Sequence, residues 1–350
     1  MKACVEPRAF RFLSRGLFVF PLYNPQKTGI LNERSPSLRN LFLKGNPMKK
    51  IIALLLLCIL LPLSGCAAET PETVTVAATF YPVYVMAENV LNGVENVRLV
   101  SMTPPATGCL HDYQLLPRDM RAMAEAKMLL INGAGMESFL PDVEKLYPSL
   151  TVVDCSQGVS LLAETEEDED HEEDGHDHDH GEYNSHIWLD PQNAILMTRN
   201  MAAALSELLP GQTEKIAANA DAYTETLASL DEELRAAISV LPHRDIVTFH
   251  EAFPYFARAY GLNVLAVVAL EPDEAPSPRM LMQLIDLVRQ NDNPPLFSEP
   301  QYESSALKTV ANETGAPVYE LDPLVTGDGA LTAYQDVMRR NLAVLQEALK

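Results

Sequence analysis

Three histidines and one aspartate stand where the sequence predicts a strand to end or a loop to begin. They are His111, His186, His250 and Asp322. In open parallel sheets, ligands bind beyond the carboxyl ends of the strands, so residues in these positions can converge on one ligand. Three neutral imidazoles with one carboxylate suit a borderline divalent ion such as zinc, whereas manganese prefers more oxygen ligands. The residue types therefore predict a metal site that favours zinc.

A second group of histidines lies in the run ETEEDEDHEEDGHDHDHG, residues 164–181, which also holds eleven carboxylates. These histidines are His171, His176, His178 and His180. The run has no apolar residue to bury, so it predicts a mobile loop. Carboxylates raise the local cation concentration and imidazoles coordinate zinc, so the loop can capture metal weakly and pass it on or report its level. The alternative is a merely solvated acidic loop, although alternating His and Asp is uncommon in such loops.

Strands alternate with helices on both sides of this run, which is typical of parallel α/β sheets. Strands are predicted in 74–83 (entering a loop), 94–103, 128–135, 150–155, 245–250, 262–270, 294–299 and 318–323. Helices are predicted in 118–127, 253–260, 278–291, 305–315 and 333–349. The sequence contains no P-loop or dinucleotide-type glycine pattern.

A long helix is predicted between the two sets of strands. From Thr213 to Leu241, apolar residues recur every three or four positions without an intervening glycine or proline. An unbroken helix of this length is about 43 Å long, the span of a small domain. The sequence thus predicts an α/β fold with two parallel-sheet lobes bridged by one long rigid helix, and a metal site in the cleft between the lobes.

These features divide the chain into six segments. We predict a non-native extension in 1–47, a lipoprotein signal peptide in 48–65 and a linker in 66–73 after a lipidated Cys66. An N-terminal lobe follows in 74–190, including the acidic loop 164–182. The remaining segments are a helical region with the bridging helix in 191–241 and a C-terminal lobe in 242–350.

The prediction for the N-terminus rests on MKKIIALLLLCILLPLSGC, residues 48–66. Two lysines precede an apolar run, 51–63, that is too short to span a bilayer, which is typical of a secretory signal. Its end, Leu63-Ser64-Gly65-Cys66, resembles the bacterial lipoprotein box, which implies cleavage before Cys66 and a lipid on its thiol. We therefore expect translation to start at Met48; a basic leader ahead of an internal membrane anchor is the alternative. Either interpretation places the body outside the cytoplasm.

The net charge limits the possible binding partners, and the cysteine content limits the possible disulfides. The formal net charge is −22, and so acidic a chain repels phosphate backbones, which argues against a nucleic-acid partner. Two cysteines, Cys109 and Cys155, remain in the folded part. A disulfide between them is chemically permitted outside the cell, and a metal-ligand role for Cys109 is a weaker option.

Five motifs in order resemble one family, the metal-binding lipoproteins of bacterial ABC importers for zinc and manganese. The motifs are GCLHDYQLLPRD, HIWLDPQNA, FHEAFPYFARAYGL, FSEPQ and LDPL, and the resemblance runs from about Val74 to Lys350. It implies two lobes bridged by a rigid helix with the metal in the cleft. It also implies His111, His186 and His250 as three ligands, Asp322 as a fourth, and Glu299 as a supporting residue. Manganese members place a carboxylate at the third position, so His250 favours zinc.

The resemblance further implies a receptor that is not an enzyme. It would bind Zn²⁺ at the outer face of the cell membrane, anchored by lipid on Cys66, and deliver it to an ABC permease and its cytoplasmic ATPase. We expect a monomer. Three rivals stay open: a manganese- or iron-binding member of the same family, a surface adhesin, and a secreted zinc hydrolase with Glu251 or Glu299 as its general base.

Overall fold

The computed structural model describes residues 73–104, 110, 113–163, 182–269, 276–301 and 305–350. The described residues all fall within one compact unit, Glu69–Lys350. No helix in these ranges is both long enough and apolar enough to cross a membrane.

The first lobe is built on a four-stranded parallel sheet with the order β2-β1-β3-β4. Its strands are β1 (Val74–Ala78), β2 (Val97–Ser101), β3 (Met128–Ile131) and β4 (Thr151–Asp154). Its helices are α1 (Tyr81–Leu91), α2 (Pro117–Glu125) and α3 (Leu140–Leu146). All four residues of β3 are buried, as expected for a strand whose two faces are both covered.

The second lobe repeats this plan with a four-stranded parallel sheet in the order β6-β5-β7-β8. Its strands are β5 (Asp245–His250), β6 (Asn263–Ala269), β7 (Leu296–Ser298) and β8 (Val318–Glu320). Its helices are α6 (Pro254–Tyr260), α7 (Pro278–Gln290), α8 (Ser305–Thr314) and α9 (Ala333–Ala348). The predicted pair of parallel α/β lobes is therefore confirmed.

Two helices connect the lobes, α4 (Pro191–Leu208) and the long α5 (Thr213–Ser239). Helix α5 has 27 residues, about 40 Å at 1.5 Å per residue. Its buried positions recur every three or four residues, and it packs against α1 and α4 on one side of the junction and against α6 and α9 on the other. The predicted bridging helix is confirmed. It ends at Ser239, two residues earlier than predicted, and Pro242 disfavours helical geometry at Leu241, the residue before it.

Two helices of the first lobe were not predicted from the sequence. The segment 74–83 was interpreted as a strand entering a loop, but β1 ends at Ala78 and α1 begins at Tyr81, with Pro82 in its first turn. Proline is favoured there because its missing N–H has no helical partner to lose. Helix α3 was also missed, as was the short 3₁₀ helix at Ile187–Leu189.

The loop that follows β8 lies against α1 of the first lobe. The backbone N–H of Gly329 donates to the hydroxyl of Tyr81 over 3.2 Å, and the side chain of Asn89 donates to the carbonyl of Leu331 over 3.1 Å. At Gly327 even a single Cβ would overlap the ring and hydroxyl of Tyr81. The two lobes thus touch here at backbone distance, which requires glycine at position 327.

Candidate metal centre

Two of the predicted ligands meet where the lobes adjoin. His250 is the last residue of β5, and His186 immediately precedes the 3₁₀ helix at 187–189. Their ring centroids are 4.9 Å apart with the planes at 80°, and both side chains are buried. Two imidazoles bound to one tetrahedral zinc have ring centres about 5 Å apart, given Zn–N bonds of about 2.1 Å. The pair therefore has the spacing that a shared ion needs.

Glu299 favours one tautomer of the His250 ring. It follows β7, which pairs with β5, and its Oε1 lies 2.9 Å from Nδ1 of His250; both side chains are buried. A carboxylate at this nitrogen favours a proton on Nδ1, which leaves the lone pair on Nε2 available for a metal. That Nε2 is buried and has no hydrogen-bond partner among the described residues. Buried polar atoms without partners are rare, so this atom fits a metal ligand.

Asp322 lies just beyond β8, and its carboxylate is engaged in local contacts. Its Oδ1 accepts from the backbone N–H of Leu324 at 2.9 Å and from Nε2 of Gln301 at 3.3 Å. Its Oδ2 lies 3.8 Å from a guanidinium nitrogen of Arg340. Within the described ranges, no group of three or more His, Cys, Asp or Glu side chains is arranged to hold a metal. The structure thus joins His186 with His250 but does not add Asp322 to them.

The other predicted functional residues lie outside the described residues. They are Cys66, Cys109, His111, His171, His176, His178 and His180. Cys155 is a buried free thiol, and burial raises its pKa well above the ordinary value. The suggested pairing of Cys109 with Cys155 therefore finds no support at Cys155.

His186 is held by neighbours that the sequence did not reveal as functional. Its backbone N–H donates to Oδ1 of Asn184 at 3.1 Å, and its ring lies 5.1 Å from that of Trp188. Trp188 is fully buried. Its indole N–H also donates to the carbonyl of Pro323 at 2.8 Å, and its own carbonyl accepts from the hydroxyl of Tyr334 at 2.6 Å. The tryptophan thus fastens the turn of His186 to the second lobe.

Glu137 is a buried acid that the sequence analysis did not identify. It accepts hydrogen bonds from the hydroxyl of Thr79 and from the backbone N–H groups of Asn132 and Gly133. Burial outweighs these donors and raises its pKa to about 7. The side chain of Asn132 donates to the carbonyl of Ser185, so this network lies beneath the turn that carries His186. The signal in the sequence was a lone acid in NGAGMES, directly after a buried strand.

Two parallel-sheet lobes joined by a long helix, with a buried imidazole pair where they meet, define a two-lobed solute-binding protein. The chain belongs to the ZnuA family, described as the periplasmic component A of the zinc-uptake complex, whose model matches residues 76–348. The family resemblance carried by the five motifs is thereby confirmed. The family is one of solute-binding receptors and not of enzymes.

Relatives of known name agree with this assignment. The zinc-binding protein AdcA of Streptococcus pyogenes serotype M6 is 32% identical over 78% of this chain, which spans 55% of that protein. The high-affinity zinc uptake system protein ZnuA of Bacillus subtilis is 30% identical over 81% of this chain and 90% of its own length. The chain thus spans about half the length of the AdcA relatives it matches but nearly all of the Bacillus protein.

A solved structure shows the same fold. The Zn(II)-bound ZnuA-like domain of Streptococcus pneumoniae AdcA superposes with a TM-score of 0.65 at 27% identity. The match covers 79% of this chain and 99% of that domain. The two-lobe architecture of this chain is therefore the one on which that domain binds zinc.

Proposed function

We propose that this protein is the extracytoplasmic receptor of a zinc importer. It binds one Zn²⁺ and delivers it to an ABC permease driven by a cytoplasmic ATPase. The observation that carries the proposal is the buried pair of His186 and His250, with Glu299 holding one nitrogen of His250 and the other nitrogen unpartnered. Membership of a zinc-uptake family supports zinc as the ion.

In this proposal His111 is the third ligand and Asp322 the fourth. A set of three imidazoles and one carboxylate favours zinc over manganese, which prefers oxygen ligands. The histidines 171, 176, 178 and 180 form an auxiliary site in the acidic loop that collects zinc for the cleft. The receptor acts from the outer face of the cell membrane as a monomer, after cleavage of the signal 48–65 and lipidation of Cys66.

The position of Glu299 argues against one of the two general bases considered for a zinc hydrolase. Such an enzyme needs a placed general base that is available to a bound water. Glu299 is engaged with His250 at 2.9 Å, so its carboxylate already has the role of orienting a ligand. The zinc-receptor function requires no base and no covalent step.

The test is zinc affinity of purified protein with single histidine substitutions. His186→Ala and His250→Ala should each weaken tight zinc binding by more than about 100-fold, since losing only an outer-shell partner costs about 10–100-fold. His243→Ala is the matched control, because His243 is an exposed histidine on the second lobe. Competition against a chelator of known affinity measures the constants, and added Mn²⁺ should not displace the zinc.

Two results of these measurements would contradict the proposal. If His250→Ala binds zinc as tightly as the unaltered protein, the imidazole pair is not the binding site. Displacement of zinc by equimolar Mn²⁺ would favour the manganese-binding alternative.

A further inference from the structure

The turn that carries His186 is hydrogen-bonded to the second lobe on both sides of the histidine. We propose that Asn184 and Tyr255 are positioning residues that fix the distance between the imidazoles of His186 and His250 and thereby slow the release of zinc. The inference rests on the proposed function, because it concerns the same imidazole pair. It adds Asn184, which lies outside the five motifs, and Tyr255, which lies within one of them but has no role assigned above.

The side-chain amide of Asn184 connects the backbone beside both histidines. Its Oδ1 accepts from the N–H of His186 at 3.1 Å, and its Nδ2 donates to the carbonyl of Glu251 at 3.0 Å. Glu251 directly follows His250, and Asn184 is buried. One planar group that both donates and accepts thus joins the two ligand-bearing segments across the lobe junction.

Tyr255 holds Asn184 from the other direction. Its hydroxyl donates to the carbonyl of Asn184 at 2.8 Å and accepts from the backbone N–H of Leu162 at 2.9 Å. The ring is fully buried on α6, the helix that follows His250, and the guanidinium of Arg258 lies 5.1 Å from its centre. Tyr255 therefore ties the segment before His186 to the second lobe with both hydrogen bonds of one hydroxyl.

Trp188 completes the attachment on the far side of His186 through its hydrogen bonds with Pro323 and Tyr334. Residues two positions before and two positions after the histidine are thus both bonded to the second lobe. His186 moves with His250 as long as these bonds persist, even though it was predicted to belong to the first lobe. The imidazole pair is then a prearranged half-site, and zinc leaves it slowly because the two rings cannot separate.

Substitutions at Asn184 and Tyr255 test this role. Asn184→Asp keeps the acceptor for His186 but loses the donor to Glu251, and Tyr255→Phe removes only the hydroxyl. The matched control is Asn193→Ala, because Asn193 donates to the carbonyl of Ile187 in the same turn from α4 without reaching the second lobe. The readouts are the zinc dissociation rate of the full chain in a chelator chase and the visible spectrum of the Co²⁺-loaded protein.

We expect Asn184→Asp and Tyr255→Phe each to raise the zinc dissociation rate about tenfold, the effect of losing one buried hydrogen bond. The Co²⁺ spectrum should shift in both, because the spacing of the imidazoles changes, whereas Asn193→Ala should match the unaltered protein within about twofold. If Asn184→Asp does not fold, Tyr255→Phe decides alone.

Unchanged rates and spectra in the two variants, or an equal change in Asn193→Ala, overturn the positioning role. The unaltered protein separates the two proposals. If it binds no zinc tightly, the proposed function fails, whereas tight binding with indifferent variants refutes only the role of Asn184 and Tyr255.

Discussion

One residue beneath the turn that carries His186 has an unusual pKa. Glu137 is buried, and the loss of water raises its pKa to about 7 although three donors point at its carboxylate. Those donors belong to Thr79, Asn132 and Gly133. The folded protein therefore keeps this carboxyl protonated at pH values where an exposed glutamate has already ionised.

The stability of the protein should fall as pH rises from about 4.5 to about 7 on account of Glu137. In this window the folded state holds a proton that the unfolded state has released, so raising the pH favours unfolding, by up to about 3 kcal/mol. Glu137→Gln cannot ionise and should lack this component. Urea unfolding at pH 5 and at pH 8 measures the free energy of unfolding of both proteins. From pH 5 to pH 8, the free energy of unfolding of the glutamine variant should rise by about 3 kcal/mol relative to that of the unaltered protein.

Parallel pH dependences of the two proteins would show that Glu137 is ionised in the folded state at neutral pH. In that case the three donors outweigh burial.

At this scale, the sequence revealed the groups with distinctive chemistry but not the groups that hold them. His186 and His250 could be predicted because each lies in a motif that resembles the importer family, and His250 also ends a predicted strand. Asn184 could not, because a single asparagine in YNSH has no pattern and its partner Glu251 lies 67 positions away. Tyr255 read as one more apolar residue of a helix, although its hydroxyl makes two hydrogen bonds between the lobes.

At the scale of the elements, the packing of helix α5 depends on the buried residues along one face of the helix, here called its buried stripe. Leu227 is fully buried at the middle of the stripe, whereas the adjacent Thr226 is exposed. Leu227→Ala should lower the free energy of unfolding by about 2–5 kcal/mol, because it removes buried methyl groups and leaves a cavity. Thr226→Ala should change it by less than about 0.5 kcal/mol. Denaturant unfolding of both variants checks the contrast, and similar losses in the two would contradict the packing of α5 described above.

The spacing in the sequence predicted α5 but not α1, for a physical reason. A two-faced helix such as α5 alternates buried and exposed positions with the helical period, which the sequence displays. Helix α1 buries residues on most of its circumference, namely 81–83, 85–87, 90 and 91, so it shows no polar face. Its aromatic and β-branched start, continuous with β1, then resembles an extended strand. The seven-residue α3 is too short to show a period.

At the scale of the whole molecule, the acidic loop should be separable from the binding site. Ala163 and Tyr183 form an antiparallel bridge, and the N–H of Asn184 donates to the carbonyl of Leu162 at 2.9 Å. Replacing 164–181 with one glycine leaves a two-residue turn, Gly-Glu182, between the bridge partners. The shortened protein should keep one tight zinc site, and saturating zinc at about 1,000 times Kd should still stabilise it by about 4 kcal/mol. Titration calorimetry and thermal unfolding with and without zinc measure both.

If this deletion abolished tight binding, the site would lie in the loop and not at His186 and His250. A deletion protein that keeps the tight site but loses additional weak sites supports the auxiliary role of the loop histidines.

The sequence predicted two lobes and a bridging helix, but it could not predict which residues make the contacts between the lobes. The contacts that join them connect distant parts of the chain, as between Trp188 and Pro323, which are 135 positions apart. Such contacts involve backbone carbonyls, whose partners leave no mark on residue type. Only the three-dimensional arrangement shows that the turn carrying His186, placed by chain order in the first lobe, is hydrogen-bonded to the second lobe through Asn184 and Trp188.

The close approach of Gly327 to Tyr81 constrains how this sequence can vary in evolution. Any residue larger than glycine at 327 needs the space that the tyrosine ring occupies, so a lineage acquires one only after position 81 has become small. Substitutions at these two sites should accordingly appear as correlated pairs among descendants of this gene.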